Sequence, residues 1–260
     1  MDNIKYLGKK TAAGLPQFII SKMPKHKIYI EPFLGTGAIM QIKKPADINI
    51  GIDKDEEILK KIKFDNRYFI VKNDTLKILA ALIDKINYNG HNADISYTDL
   101  SMFAFIDKID YGIPIVIYLD PPYLKQTRTS YKNCKYNCEL TDDEHIKLLE
   151  VLKDITAKYK NVYILLSGYK SNMYMEYLKG WFYFETTTMS RGGKRVESLW
   201  CNFNPVEYEK HDYSFVGNNF TDRQRIKRKA NRLINKINSL NYDEKRYILD
   251  LIQKNFFSTI

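Results

Sequence analysis

Cysteine is scarce in this chain, long apolar runs are missing, and acids are outnumbered by bases. The three cysteines among 260 residues are Cys134, Cys138 and Cys201. An odd number, in a chain without a secretory apolar region, argues against a disulfide framework and for reduced thiols in the cytoplasm. Cys134 and Cys138 have neither the CxxC spacing nor the neighbouring histidines of a zinc site, so no metal is expected. No apolar stretch reaches membrane-spanning length, so no membrane partner is expected, and no segment is repeated or of low complexity. A chain of this length buries a core without cross-links, as one α/β domain with an appendage or as two small domains. With 41 Lys and Arg against 31 Asp and Glu, the formal net charge is +10. These bases are interleaved with Tyr and polar groups rather than set on a wide apolar face, which favours a polyanionic partner. Lys, Asn, Ile and Tyr are all abundant, however, and an AT-rich genome would give the same excess with no partner.

The chain is organised around Ile115-Val116-Ile117-Tyr118-Leu119-Asp120-Pro121-Pro122-Tyr123. An apolar, β-branched run of this kind reads as a strand buried on both faces, and two prolines stop it at Asp120. In an open α/β sheet, ligands bind at the carboxyl ends of strands. The prolines hold the backbone extended, so that Asp120, the Pro121 carbonyl and the Tyr123 ring point outward together. The same residues also suit a plain strand exit with a capping Asp and a packed Tyr.

Taken in order, residues 15–20 form a short helix with Pro16 in its first turn, and 27–31 a first strand. That strand runs into Pro32-Phe33-Leu34-Gly35-Thr36-Gly37, a Gly-x-Gly turn that lets a nucleotide-like ligand approach the backbone. Met40 occupies the place of the third glycine of a dinucleotide fingerprint, which argues against NAD. A second strand, 47–52, ends in Asp53, 18 residues after Gly35. Asp53 is placed either to accept from ribose hydroxyls or to cap the helix expected at 55–63. Residues 64–92 read as an insertion, with a possible strand at 68–72 and a helix from Thr75. A third strand, 95–98, would deliver Asp99, whose carboxylate could accept from an adenine amino group.

Beyond Tyr123, residues Lys125, Arg128, Tyr131 and Lys132 alternate bases with aromatics in a loop, a pattern suited to phosphates and stacked bases and equally to a solvated loop. A long helix begins after Thr141, with capping-box spacing to Glu144. A buried strand at 162–166 and a helix at 172–178 follow. Strands at 181–187 and 197–203 close a mostly parallel sheet with an antiparallel hairpin. From Asp222 to Lys236 seven bases face one acid, with apolar residues at helical spacing, and a second helix at 243–253 completes a helical hairpin. Arg225, Arg228 and Arg232 are candidates for nucleic-acid contact there; a solvated amphipathic helix is the alternative.

The series Gly35-x-Gly37, Asp53, Asp99 and Asp120-Pro-Pro-Tyr123, at the ends of successive strands, resembles the S-adenosylmethionine-dependent DNA adenine-N6 methyltransferases of the Dam-like group, especially their short phage and prophage members. Tyr6-Leu7-Gly8-Lys9-Lys10, Tyr29-Ile30-Glu31-Pro32-Phe33, Leu166-Ser167-Gly168-Tyr169, Gly180-Trp181 and Glu197-Ser198-Leu199-Trp200 also match. The resemblance implies a Rossmann-like methyltransferase domain at 1–205 and a basic helical extension at 206–260. It implies the catalytic tetrad Asp120, Pro121, Pro122 and Tyr123. It implies a cofactor site drawn from Tyr6, Lys10, Glu31, Pro32, Phe33, Gly35, Thr36, Gly37, Asp53 and Asp99, with Lys9 or Lys10 as the contacting lysine. The implied partner is double-stranded DNA in a bacterial or phage-infected cell, in restriction-modification, phage protection or regulation.

The chemistry agrees independently. Adenine N6 is a poor nucleophile because its lone pair is delocalised into the ring. Two acceptors, Asp120 and the Pro121 carbonyl, can orient it and stabilise the charge it acquires. Cytosine-C5 methylation, which needs a thiolate after a proline, is disfavoured because no cysteine follows one. An RNA adenine or protein glutamine methyltransferase poses the same lone-pair problem, and a non-catalytic DNA-binding module on the same fold is a further alternative.

Overall fold

The computed structural model describes residues 10, 12, 14–84, 112–124, 138–190 and 193–256. In chain order its elements are α1 (Leu15–Ile20), β1 (Ile28–Glu31), α2 (Ala38–Ile42), β2 (Ile48–Asp53), α3 (Glu56–Leu59), β3 (Tyr68–Lys72), α4 (Thr75–Asp84) and β4 (Ile115–Leu119). There follow α5 (Asp142–Lys158), β5 (Val162–Gly168), α6 (Asn172–Tyr177), β6 (Phe182–Ser190) and β7 (Gly193–Cys201), then α7 (Phe220–Asn238) and α8 (Tyr242–Phe256). The chain divides into two compact units, Met1–Tyr213 and Ser214–Ile260. The segment just past residue 205 is tied back into the first unit. The Lys25 amide donates to the Glu209 carbonyl at 2.7 Å, the His211 amide to the Met23 carbonyl at 3.1 Å, and the Lys44 amide to the Asp212 carboxylate at 3.1 Å.

The seven strands among the described residues of the first unit form one sheet in the order β3-β2-β1-β4-β5-β7-β6, parallel except for β7, which runs antiparallel to both β5 and β6, the Rossmann-like arrangement expected. Its centre is where the apolar runs are longest. All five residues of β4 are buried, and the Tyr118 hydroxyl is satisfied by Ser167 Oγ at 2.9 Å. Each such aliphatic side chain contributes about 1.5–3 kcal/mol by leaving water. Leu148, Leu149, Leu152 and Ile155 of α5 join the same core. That helix starts with the capping box read from the sequence: Thr141 Oγ1 accepts the Glu144 amide and Glu144 accepts the Thr141 amide.

Register fixes which residues leave the sheet together. Glu31 lies opposite Gly51, Asp53 opposite Lys72, and Leu119 opposite Leu166, so Pro32, Asp53, the residues after Lys72, and Asp120 all exit at one edge. One expectation changes here. Tyr68–Lys72, read as part of an insertion, is a full parallel partner of β2 and the edge strand of the sheet. The strand expected at 95–98 lies outside the described residues. The hairpin is longer than expected, pairing from Phe182↔Cys201 to Ser190↔Gly193.

Candidate active site

At the exit of β1 the chain turns on two glycines with left-handed backbone, Gly35 at φ 51° and Gly37 at φ 64°. At Gly37 a Cβ would also lie 2.6 Å from the Phe64 ring, so the turn needs glycine for conformation and for space. The Gly35 amide donates to Asp53 Oδ2 at 2.6 Å, which ties the turn to the end of β2. Asp53 Oδ1 accepts the Asp55 amide at 2.9 Å, and burial pushes this carboxyl above its ordinary range. Of the two roles open to Asp53, capping falls instead to Asp55, which accepts from the Glu57 and Ile58 amides at the start of α3.

The neighbouring exit, after β3, presents Asp74. Burial would push its carboxyl up, but Lys54, paired at 2.7 Å, and the Leu76 amide at 2.9 Å hold it below the usual carboxylate range. The Thr75 hydroxyl donates to the Pro32 carbonyl, locking the start of α4 to the exit of β1. Together these exits line a cleft open to solvent, whose walls include Pro32, Phe33, Gly35, Asp53, Asp74, Asp120, Pro122 and Leu140.

On the far side of Asp120 stands a charged cluster. The Lys10 ammonium, 6 % exposed, lies 3.1 Å from Asp120 Oδ1 and 3.1 Å from Glu197 Oε2, and also contacts the Tyr123 hydroxyl. Tyr123 in turn donates to Glu197 Oε2 at 2.8 Å, while its ring meets Tyr169 with centroids 4.3 Å apart. Burial opposes the charge on Lys10, but Asp120 and Glu197 outweigh it and hold its pKa above the usual lysine range. Asp120 is pushed up to about 6 by burial, with Lys10 pulling the other way and Glu197 adding a smaller push upward.

The expected site residues thus fall into four groups. Pro32, Phe33, Gly35, Asp53, Asp120 and Pro122 share the cavity. Lys10 and Tyr123 stand beside Asp120 in the charged cluster, and Pro121, between Asp120 and Pro122, is buried. Glu31, Thr36 and Gly37 support the turn: Glu31 is buried, accepts the Tyr29 hydroxyl at 2.8 Å and the Met40 amide at 3.1 Å, and is pushed up to about 8 by burial. Tyr6, Lys9, Asp99, Lys125, Arg128, Tyr131 and Lys132 lie outside the described residues. Arg225, Arg228 and Arg232 are on α7 of the second unit. Sequence reasoning gave no site role to Asp74, or to Glu197, which it named only within the motif Glu197-Ser198-Leu199-Trp200. The signal for Asp74 was a carboxylate directly after a strand-like segment; for Glu197 it was a lone acid entering an otherwise apolar Ser-Leu-Trp run. Among the described residues no group of three or more His, Cys, Asp or Glu could hold a metal ion, and no helix is long and apolar enough to cross a membrane.

Solved structures with a similar course include human methyltransferase-like protein 13 in complex with SAH (12% identity, TM-score 0.43, covering 82% of this chain and 85% of that one). Others are spermidine synthase from Thermotoga maritima (12%, 0.42, 83% and 69%) and an rRNA methylase from Streptococcus thermophilus (10%, 0.37, 72% and 93%). No curated protein sequence matches. The family described as D12 class N6 adenine-specific DNA methyltransferase matches over residues 59–191, just over half of the 260-residue chain and a span that holds the exits of β3, β4 and β5. The chain belongs to that family, as an adenine-N6 methyltransferase that takes its methyl group from S-adenosylmethionine.

Proposed function

We propose that the protein methylates N6 of adenine in double-stranded DNA, with the target base turned out of the helix. The observation that carries this reading is that Asp120 shares one cavity with the glycine turn and Asp53. The residues present fit the cofactor. Asp53 and Asp74 accept from hydroxyl and amine donors, and Phe33 and Leu140 add apolar walls. Asp53 would hold the ribose, Asp74 the adenine amino group in the place expected for Asp99, and the 33–37 turn the methionine part. S-adenosylmethionine supplies an electrophilic methyl group at its sulfonium.

The remaining work falls to the chain. Asp120 and the Pro121 carbonyl each accept one N6 hydrogen, which aims the nitrogen lone pair toward the cavity and stabilises the positive charge that develops as the bond forms. Lys10 engages Oδ1 of Asp120, and the carboxylate keeps its second oxygen for the amine. Tyr123, buried against Tyr169 and Lys10, is assigned the stacking contact with the base, which requires its ring to be uncovered when the base enters. Turning a base out of the duplex costs a few kcal/mol. Lys125, Arg128, Tyr131 and Lys132, with the α7 arginines, are assigned the phosphate and base contacts that offset it.

Incubation with methyl-labelled cofactor and double-stranded DNA, RNA or protein separates the substrates. Label recovered as N6-methyladenine in duplex DNA is the expected result; label found only in RNA or in glutamine side chains would reject the proposal. A second measurement addresses α7, which buries no residue and on which Arg225 pairs with Asp222 at 2.8 Å. Replacing Arg225, Arg228 and Arg232 with Gln is expected to flatten the slope of log affinity against log salt by about two units, since each phosphate contact contributes about 0.9 and Arg225 is already part-neutralised. An unchanged slope would make α7 a bystander to DNA.

A further inference from the structure

Glu197 has no role in the reaction as described so far, yet its placement is costly. It lies on β7 next to Ser198, which pairs with Gly168 at the end of β5, so it sits at the sheet edge that Asp120 leaves. Its side chain is 9 % exposed. Burying a carboxylate costs several kcal/mol unless it is paired and hydrogen-bonded. Here both conditions are met by parts of the tetrad or their partner: Oε2 accepts the Tyr123 hydroxyl at 2.8 Å and the Lys10 ammonium at 3.1 Å, and the same ammonium lies 3.1 Å from Asp120.

We infer that Glu197 is a positioning residue for methyl transfer: it anchors the Tyr123 ring by its hydroxyl and shares Lys10 with Asp120, fixing the stacking face and the amine acceptor relative to each other. This rests on the adenine-N6 reading above. A ring held only by packing would need no hydroxyl, and an isolated Asp120–Lys10 pair would need no second acid. The arrangement also has an electrostatic signature. The groups facing Asp120 are Lys10, Glu197, Glu31, Tyr118 and Tyr174. Burial raises the last three, Glu31 to about 8, so they are neutral where Asp120 titrates, near 6. Lys10 and Glu197 are therefore the charged neighbours that tune it.

The test compares Glu197→Gln, Tyr123→Phe and the double variant on duplex DNA, with kcat, KM and the pH dependence of kcat/KM measured alongside cofactor-dependent thermal stabilisation. Each single change is expected to lower kcat by about ten- to a hundredfold, as loss of sub-ångström positioning does. Both are expected to retain stabilisation by S-adenosylmethionine. Because the two side chains act as one unit, the double variant should fall no more than about twofold below the weaker single one. Glu197→Gln removes a like charge from Asp120, so its acid limb should move down by about one pH unit, whereas Tyr123→Phe should leave the limb in place. An active wild type with a Glu197→Gln variant of unchanged kcat and unmoved limb overturns the inference alone. So does a variant that loses cofactor stabilisation altogether, which would make Glu197 a residue of the fold. A wild type that methylates no adenine overturns the substrate reading and this one with it.

Discussion

Asp120→Ala should lower kcat by about 10²–10³-fold, the cost typical of deleting one preorganised group that meets developing charge, and leave cofactor binding largely intact. Asp53, Asp74 and Gly35 of the glycine turn, which also line the cleft, are untouched by the change. No buried charge is orphaned either, because Lys10 keeps Glu197 at 3.1 Å. Equal loss of transfer and of cofactor affinity, the latter measured by calorimetry, would make Asp120 a structural residue. In the wild type kcat/KM should rise through pH 6 as Asp120 ionises, because only the carboxylate can accept from the amine while Lys10 holds its other oxygen.

Lys10→Met should have the largest effect on stability. The substitution keeps bulk but leaves Asp120 and Glu197, both mostly buried, without their shared cation. Breaking a buried ion pair in this way costs about 3–5 kcal/mol. The sign with pH follows from linkage. Asp120 already titrates near 6 in the folded protein against about 3.9 unfolded, so the folded state binds the extra proton between those values and stability falls as pH rises through the window. Removing Lys10 raises the folded pKa further, widening the window upward. Urea denaturation should therefore find the variant much weaker than wild type at pH 8 and closer to it at pH 5, with the acid limb of kcat/KM moved above 6. The same deficit at both pH values would show that Lys10 is not the counter-charge.

The centre of the sheet and the strand that ends at Asp120 were legible in the sequence because their physics is local. An unbroken apolar run stopped by two prolines defines β4, a Thr and a Glu at capping-box spacing start α5, and a Gly-x-Gly after a strand marks the turn. The edge was harder. Tyr68–Lys72 shows the mixed exposure of a strand with a neighbour on only one side, so it lacks the apolar signature of β4, and Asp74 went unassigned with it. The role of Glu197 was hidden for a different reason. Its motif was matched, but its partners Tyr123 and Lys10 are far away along the chain, and only the fold reveals that they bury it. Lys10 was legible as a candidate, but its attachment to Asp120 and Glu197 was not, since nothing in its neighbourhood of the chain encodes a contact so distant.

That distance has a consequence for synthesis. Lys10 and Glu197 are 187 residues apart, with Tyr123 between them. At roughly 5–20 residues per second, a ribosome needs about ten to forty seconds to go from one to the other. Once Tyr123 has been made, the chain carries the strand exits that line the cleft but not yet the carboxylate that anchors the tyrosine, so a polypeptide truncated before the hairpin would be born with those walls present and with Lys10 and Tyr123 lacking their shared anchor.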